Sequence, residues 1–417
     1  MEIKRDKYLE DLKNRMNNGM IKVVTGIRRC GKSYLVFVIF KNYLLKSGIP
    51  ENHIIEIALD DRKNKEYRKP DAILAYVEKR IEDKDNYYLL LDEVQMLEDF
   101  EEVLNSLLHK ANLDIYVTGS NSRFLSKDII TEFRGRGDEV HIFPLTYKEF
   151  MQVYPGDRYQ GFGDYMMYGG LPLVLSMKTE QQKIQYLTTL FEETYIKDIR
   201  ERNRIDKLQE LNDLINVLAS AVGSLTNPSK IQATFKSQIQ SDISVNTVNQ
   251  YIEYLKDAFL INEANRFDVK GRKYIGTPLK YYFEDVGLRN ARLGFRQHEE
   301  THLMENVIYN ELRARGYQVD VGVVPLRITT KDGKRVRTQL EIDFIATMGS
   351  KKYYLQSAFS LPDEAKEKQE KESLLNVNDS FKKLVIVNDM LNVRRDADGI
   401  TTINVYDFLL DENSMDI

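Results

Sequence analysis

The feature that most constrains this chain is a glycine-bounded octapeptide near its beginning, which fits the pattern G-x-x-x-x-G-K-[ST]. The two glycines let the backbone curl so that successive N–H groups point inward at a phosphate. In such a loop the lysine ammonium reaches the β- and γ-phosphates of a nucleotide, and the hydroxyl that follows ligates Mg²⁺. We therefore predict an ATP-binding loop made of Gly26, Ile27, Arg28, Arg29, Cys30, Gly31, Lys32 and Ser33.

The segments on both sides of this loop have the order that a phosphate loop requires. Residues 20–25 are mostly apolar and indicate a short buried strand, whereas residues 33–45 place apolar side chains at helical spacing. A helix that follows the loop points its N-terminus at the same anion. The order of strand, glycine loop and helix favours a phosphate site over a glycine turn that binds nothing.

A second motif lies at residues 87–93, where a run of apolar residues ends in Asp92 and Glu93. An apolar strand buried in a parallel sheet carries Asp92 to its carboxyl end, where the side chain can hold Mg²⁺. Glu93 can then polarise the attacking water, which makes it the predicted catalytic base. The alternative is an ordinary strand that ends in solvated acids.

Two further candidates follow along the chain. Residues 115–117 are apolar and lead to Asn121, which we expect beside the Asp92 strand and facing the γ-phosphate; an ordinary turn is the alternative. Arg134 and Arg136 can neutralise transition-state charge, either within one chain or across a subunit interface, and Arg136 is the predicted catalytic arginine. A solvated basic loop is the alternative for this stretch.

The first 145 residues alternate strands with helices, which predicts an α/β fold whose parallel sheet is covered by helices on both faces. The full chain of 417 residues is long enough for several domains. Its net charge of −4 excludes a uniformly basic nucleic-acid-binding protein, although a local basic surface stays open. Cys30 is the single cysteine, which suits a reducing compartment, and no apolar run is long enough to span a membrane.

The motifs together resemble a known family. The stretches GIRRCGKS, LLDEVQ, TGSNS and FPLTYKEF are similar to AAA+-type ATPases of archaea and bacteria that carry a C-terminal domain of unknown function. The similarity continues through YGGLP at 168–172, EDVGLRN at 284–290 and ENVIYNEL at 305–312, so it covers nearly the whole chain. The resemblance implies nucleotide and Mg²⁺ contacts at Lys32, Ser33, Asp92 and Glu93. It also implies that residues 146–205 form a small helical lid.

Residues 206–280 have the order of a winged helix-turn-helix. Three helical segments precede two short strands, and Asn227 and Ser244 can cap the second and third helices. The third helix can read base edges in the major groove of double-stranded DNA, and cations in the wing can contact phosphates. The predicted DNA-contacting residues are Asn246, Asn249, Gln250, Lys270 and Arg272. The alternative is a winged helix used for packing or protein contacts.

Residues 281–417 resemble the α/β fold of PD-(D/E)xK restriction endonucleases. Asp343 fits the strand aspartate and Glu305 fits the helix acid, but Gln356 and Ala358 replace the second acid and the lysine. A neutral amide is a poor Mg²⁺ ligand and an alanine cannot activate water. We therefore predict a nuclease-inactive domain, with a retained nuclease as the alternative.

Residues 298–302 fit the pattern H-E-x-x-H, in which two histidines on one helix face bind zinc. A catalytic zinc needs a third protein ligand, and none follows at a suitable spacing. The start of a solvated helix is the better interpretation of His298 and His302.

The predicted domains are the ATPase core at 1–145, the lid at 146–205, the winged helix-turn-helix at 206–280 and the restriction-endonuclease-like domain at 281–417. The predicted function is an ATP-binding, ATP-hydrolysing switch protein associated with DNA. The alternative is a nucleotide-gated signalling or scaffold protein that acts through protein partners without DNA. We expect a cytoplasmic protein with ATP and Mg²⁺ as cofactors, no membrane contact, and a homo-oligomer left open.

Overall fold

The computed structural model describes residues 3–119, 135–239, 241–329 and 335–417. The chain divides into a first unit, Met1–Pro144 with Asp257–Phe259, and a second unit, Leu145–Lys256 with Leu260–Ile417. Among the described residues, no helix is both long and apolar enough to cross a membrane.

The first unit is built around a parallel sheet of five strands. In chain order these are β1 (Ile21–Thr25), β2 (Ile54–Ala58), β3 (Tyr87–Asp92), β4 (Leu113–Thr118) and β5 (Gly137–His141). Their order in the sheet is β2-β3-β4-β1-β5, and every pairing is parallel. The predicted α/β class with a P-loop NTPase-like parallel sheet is confirmed.

Helices surround this sheet, and a π-helical segment interrupts the helix that follows the glycine loop. The α-helical segments are Asp6–Asn14, Lys32–Tyr34, Lys41–Lys46, Pro70–Arg80 and Phe100–Leu107, the π segment is Leu35–Phe40, and the 3₁₀ segments are Glu51–His53, Arg62–Arg68 and Val94–Met96. Proline at the start of Pro70–Arg80 suits a position whose backbone N–H has no partner within the helix.

The central strands of the first unit are buried on both faces. Every residue of β1, β3 and β4 is buried, as expected for parallel strands with helices on each side. The register places Val24 of β1 opposite Thr118 of β4, and Leu91 of β3 opposite Val117 of β4. The carboxyl ends of the three strands therefore lie side by side, and polar side chains at those ends can meet.

The second unit begins with helices and continues into a mixed sheet. Its α-helices are Tyr147–Met151, Arg158–Tyr168, Glu180–Leu190, Lys197–Asn203, Leu208–Ser220, Pro228–Thr234, Val245–Asp257, Val286–Arg292, Glu300–Ala314, Glu364–Leu375 and Val405–Leu410, with π segments Phe191–Ile196 and Phe235–Ile239 and a 3₁₀ segment Pro172–Ser176. Asn227 and Ser244 accept the backbone N–H groups of Lys230 and Thr247, so both predicted helix caps are observed.

The sheet of the second unit has eight strands in the order β12-β13-β11-β10-β9-β8-β6-β7. The strands are β6 (Ile261–Asp268), β7 (Lys273–Phe283), β8 (Gln318–Thr329), β9 (Arg335–Met348), β10 (Lys351–Ala358), β11 (Lys382–Val387), β12 (Arg394–Arg395) and β13 (Ile400–Asn404). The two strands that we expected to form a wing are β6 and β7, which pair as an antiparallel hairpin, and β6 also pairs in parallel with β8. The hydrogen bonds therefore continue across residue 280, where we expected a domain boundary.

Two of the motifs that carried the family resemblance bind each other inside the second unit. The Asp285 carboxylate accepts the backbone N–H groups of Gly170 (2.7 Å) and Leu288 (3.0 Å). Gly169 has a φ of +73°, and a Cβ there would lie 2.2 Å from Asp285 Oδ1. Asn290 Nδ2 donates to the carbonyl of Met166 at 2.8 Å. YGGLP and EDVGLRN are thus two halves of one packed contact.

Candidate nucleotide-binding site

The glycine loop leaves β1 at Gly26 and ends at Gly31, where the next helix begins. Gly26 has a φ of +139°, and a Cβ there would lie 2.2 Å from the carbonyl oxygen of Ile142. Gly31 has a φ of +106°. Side chains are disfavoured at both angles, so the geometry explains why both positions are glycine.

Lys32 is the first residue of that helix and is only 4% exposed. Its Nζ donates to the carbonyl oxygens of Gly26 (2.9 Å) and Ile27 (3.0 Å). The ammonium therefore lies inside the loop, next to the backbone carbonyls at its start. Among the described residues its recorded hydrogen-bond partners are these two neutral carbonyls, and a buried ammonium with neutral partners favours the approach of an anion.

The carboxylate of Asp92 accepts hydrogen bonds from two hydroxyl groups, one on the helix after the glycine loop and one at the end of β4. Ser33 Oγ donates to Asp92 Oδ1 at 2.9 Å, and Thr118 Oγ1 donates to the same oxygen. Asp92 is 7% exposed, and burial raises its pKa while the hydrogen bonds from Thr118 and Ser33 oppose that change. The loop helix, β3 and β4 thus converge on one carboxylate oxygen. Thr118 was not predicted as a site residue, although a threonine at the end of an apolar strand indicates a polar group at the edge of the sheet.

Glu93 lies directly after Asp92 and adopts a φ of +52°. That angle is uncommon for a residue other than glycine and turns the chain sharply at the end of β3. The Glu93 backbone N–H donates to Thr118 Oγ1 at 3.1 Å, and its carboxylate accepts a hydrogen bond from Gln95 Nε2. Thr118 therefore contacts both acidic residues of the motif. A strained backbone at such a position supports a hypothesis of function.

Two side chains on β5 also reach the start of the loop. Thr25, which precedes Gly26, donates its hydroxyl to Glu139 Oε1 at 2.7 Å and lies 2.8 Å from His141 Nδ1. A hydroxyl has a single proton, so this pattern places a proton on His141 Nδ1. His141 and Glu139 were not predicted as site residues, because only the pairing of β1 with β5 brings them to the loop.

The structure places Arg136 at the other end of the sheet. Its carbonyl accepts the N–H of Ile21, and β5 starts opposite the first residue of β1. The glycine loop follows the last residue of β1, about 16 Å away at about 3.3 Å per residue. Arg136 therefore lies too far from the phosphate loop of its own chain to contact it, so of the two predicted roles only the one across a subunit interface stays a prediction. Asn121 and Arg134 lie outside the described residues.

The predicted DNA-contacting residues are all exposed. Asn246, Asn249 and Gln250 lie on Val245–Asp257, whose opposite face is buried through Val248, Tyr251, Ile252 and Leu255. Lys270 and Arg272 lie together in the turn between β6 and β7, where Asp268 Oδ1 accepts the N–H of Lys270 at 3.1 Å. The structure thus leaves a polar helix face and a cationic hairpin turn open to solvent.

Two of the expected nuclease residues, Glu305 and Asp343, lie close to Lys280, which was not predicted as a site residue. Lys280 on β7 lies 2.8 Å from Glu305 and 3.7 Å from Asp343. Gln356 Oε1 accepts the Asp343 N–H at the long distance of 3.4 Å. Ala358, at the position of the usual lysine, is part of the apolar core. No local pattern marks Lys280, because β7 and β9 are not neighbours in the sheet.

The histidine pair does not form a helical zinc site. The helix begins at Glu300 with Glu299 at its N-cap, so His298 precedes it and cannot share a helix face with His302. His302 instead lies 3.8 Å from Glu305, whose carboxylate raises the histidine's pKa. The described part of the chain contains one cluster of His, Asp and Glu spaced for a metal, at His53, Asp83 and Asp85, and it includes neither histidine.

Comparison with known proteins finds two family models and several relatives that match this chain. A family model described as "AAA domain" matches residues 18–151, and another described as "Domain of unknown function (DUF8612)" matches residues 159–299. The chain is 32% identical over 414 residues to an uncharacterized protein of Haemophilus influenzae, covering 98% of each chain. It is 26% identical over 375 residues to an uncharacterized protein of Methanocaldococcus jannaschii, covering 86% of this chain and 79% of that protein.

A parallel sheet with a glycine loop of this geometry defines a P-loop NTPase-like fold. With a full-length relative above 30% identity and a matching AAA model, the chain belongs to the AAA+ P-loop ATPase family. The Aeropyrum pernix ORC1 protein, solved in complex with DNA, is also similar at 12% identity, covering 70% of this chain and 92% of that chain. The TM-score between the two structures is 0.30.

Proposed function

We propose that this protein binds ATP with Mg²⁺ and hydrolyses the γ-phosphate by attack of water. The observation that carries the proposal is the convergence of Ser33 and Thr118 on Asp92 Oδ1, beside a loop whose lysine is buried. The donor set fits the ion, because a hydroxyl and a carboxylate oxygen are the hard ligands that Mg²⁺ prefers. Bound there, Mg²⁺ neutralises phosphate charge.

In this proposal each residue has a separate task. Lys32 leaves the carbonyls of Gly26 and Ile27 to contact the β- and γ-phosphates, while the N–H groups of the loop hold the phosphate oxygens. Ser33 and Asp92 hold Mg²⁺, and Glu93 orients the attacking water. Glu93 must leave its hydrogen bond with Gln95 to do so, which gives the chain a resting and an active arrangement of one carboxylate.

Arg136 acts in this proposal on a neighbouring copy of the chain, because its own phosphate loop is out of reach. That requires a homo-oligomer, which stays a prediction together with the role of Asn121. A cytoplasmic location also stays a prediction and rests on the single cysteine. The exposed face of Val245–Asp257 and the Lys270–Arg272 turn support association with DNA, whereas action through protein partners alone is the second candidate.

The first test is ATP turnover by wild type, Lys32→Ala and Glu93→Gln, each with and without duplex DNA. We expect both variants to lose about 100-fold or more in turnover, because each removes a group that acts on the transition state. Lys46→Ala and Glu98→Gln are matched controls, since both residues are exposed in the same unit, and they should turn over like wild type.

The outcomes separate the candidates. Turnover that rises with DNA and loses this rise as salt increases supports the DNA-associated switch. Lysine-dependent turnover that is indifferent to DNA supports a protein partner. If the wild-type chain binds no nucleotide in an equilibrium binding measurement, the proposal that it binds ATP is wrong.

A further inference from the structure

The second unit contains an ammonium group enclosed by three carboxylates. Lys280 is 4% exposed, and its Nζ lies 2.8 Å from Glu305 Oε1, 2.9 Å from Glu341 Oε1 and 3.7 Å from Asp343 Oδ1. The lysine comes from β7, Glu305 from the helix Glu300–Ala314, and the other two acids from β9. Residues far apart in sequence therefore bring one ammonium and three carboxyl groups together.

The protonation of the cluster follows from this geometry. Burial alone would lower the pKa of Lys280, yet the three carboxylates raise it, so the group stays an ammonium. Burial alone would raise the pKa of Glu305, but Lys280 and the hydrogen bonds it receives lower it. Burial and the nearby Glu305 charge raise the pKa of Asp343 to about 7. Lys280 is therefore held as a cation among these acids.

Other contacts hold the acids in place around the lysine. Tyr282 donates its hydroxyl to Glu305 Oε1 at 2.6 Å, and the backbone N–H of Ser357 donates to Asp343 Oδ2 at 2.8 Å. The Ser357 hydroxyl is buried and has no hydrogen-bond partner among the described residues. Carboxylate oxygens are also the ligands that a divalent ion takes in proteins, although with the ammonium between them these three acids are not spaced for one.

We propose that the Lys280 ammonium occupies the place of a divalent metal ion among Glu305, Glu341 and Asp343. In the wild-type chain these acids then take up no divalent cation, and the lysine is an internal counter-cation rather than an activator of water. Removal of the ammonium leaves three carboxylates without a cation, and they bind a divalent ion in its place. The proposal concerns the second unit alone and does not depend on ATP hydrolysis.

The experiment measures Mn²⁺ binding to the full-length chain without nucleotide, from the electron paramagnetic resonance signal of free Mn²⁺. The proteins are wild type, Asp343→Asn, Lys280→Ala, and Lys280→Ala combined with Asp343→Asn. Lys273→Ala is the matched control, because Lys273 lies at the exposed start of the same strand. Any ion held near Asp92 contributes equally to all five proteins and cancels in the comparison.

We expect wild type, Asp343→Asn and Lys273→Ala to bind Mn²⁺ alike. Lys280→Ala should gain one site at least about tenfold tighter than any other, because a repelling positive charge is removed next to acids. The additional Asp343→Asn substitution should abolish that site. A Lys280→Ala chain that folds and gains no site would overturn the proposal.

The comparison of wild type with Asp343→Asn tests the proposal even if Lys280→Ala does not fold. A Mn²⁺ site in wild type that Asp343→Asn removes would show that an ion, not the lysine, belongs at this position. Plasmid cleavage gives a second readout under the same conditions. We expect no Mg²⁺- or Mn²⁺-dependent cleavage by wild type above that of Asp343→Asn, and cleavage that depends on Asp343 would likewise overturn the proposal.

Discussion

The carboxylate of Asp285 accepts the backbone N–H of Gly170 at 2.7 Å, although the two residues lie 115 positions apart in the chain. The same carboxylate caps the helix Val286–Arg292 through the N–H of Leu288. Asp285 is only 2% exposed, so its loss leaves the backbone N–H groups of Gly170 and Leu288 without this partner inside the second unit.

Asp285→Ala should therefore destabilise the second unit by about 2–4 kcal/mol, the sum of a lost cap and an unpaired buried donor. The measurement is urea unfolding of variant and wild type. Asp363→Ala is the control, because Asp363 caps the helix Glu364–Leu375 at an exposed position and should cost about 1 kcal/mol. Equal losses in the two variants would contradict a special role for the Gly170 contact.

Stability should also depend on pH through Asp285. Burial raises the pKa of Asp285 from 3.8 to about 6, so between these values the folded state keeps a proton that the unfolded chain has released. The free energy of unfolding of wild type should then fall by up to about 3 kcal/mol as pH rises from 4 to 6, relative to Asp285→Asn. A difference between the two proteins that stays flat over this range would show that the carboxyl titrates normally.

The buried pair of Lys22 and Asp114 supports the amino end of the first sheet. The ammonium donates to Asp114, which also accepts the Tyr116 hydroxyl and the N–H of Asn17, each at 2.9 Å. Asp114→Ala should cost about 3–5 kcal/mol in unfolding free energy, because it leaves an uncompensated buried charge. Lys22→Met combined with Asp114→Leu should cost much less, and a double variant as unstable as Asp114→Ala would contradict this account.

Thr118 should matter for turnover even though it contacts no phosphate in our proposal. Thr118→Val keeps the shape of the side chain but removes its hydrogen bonds to Asp92 and Glu93, so we expect ATP turnover to fall about tenfold. Thr118→Ser should restore most of it, and Thr188→Val on an exposed helical turn should have no effect. Turnover unchanged in Thr118→Val would remove this residue from the site.

Local patterns in the sequence determined several parts of this protein. The strand, glycine loop and helix around Lys32, the strand that ends in Asp92, and the caps at Asn227 and Ser244 all lie where they were predicted. Each of these features depends on residues that are close together in the sequence, so spacing and residue type suffice to predict it. The P-loop NTPase-like fold class followed from the same local patterns.

The tertiary structure decided which distant residues meet. Register alone brings Thr118 to Asp92 and His141 to Thr25, and it carries Arg136 to the opposite end of the sheet. Lys280 reaches Glu305 and Asp343 because a helix and two non-adjacent strands converge, and Asp285 meets Gly170 through packing of two helices. Side chains that depend on strand order and helix packing have no periodic trace in the sequence, so only the folded chain shows which of them meet.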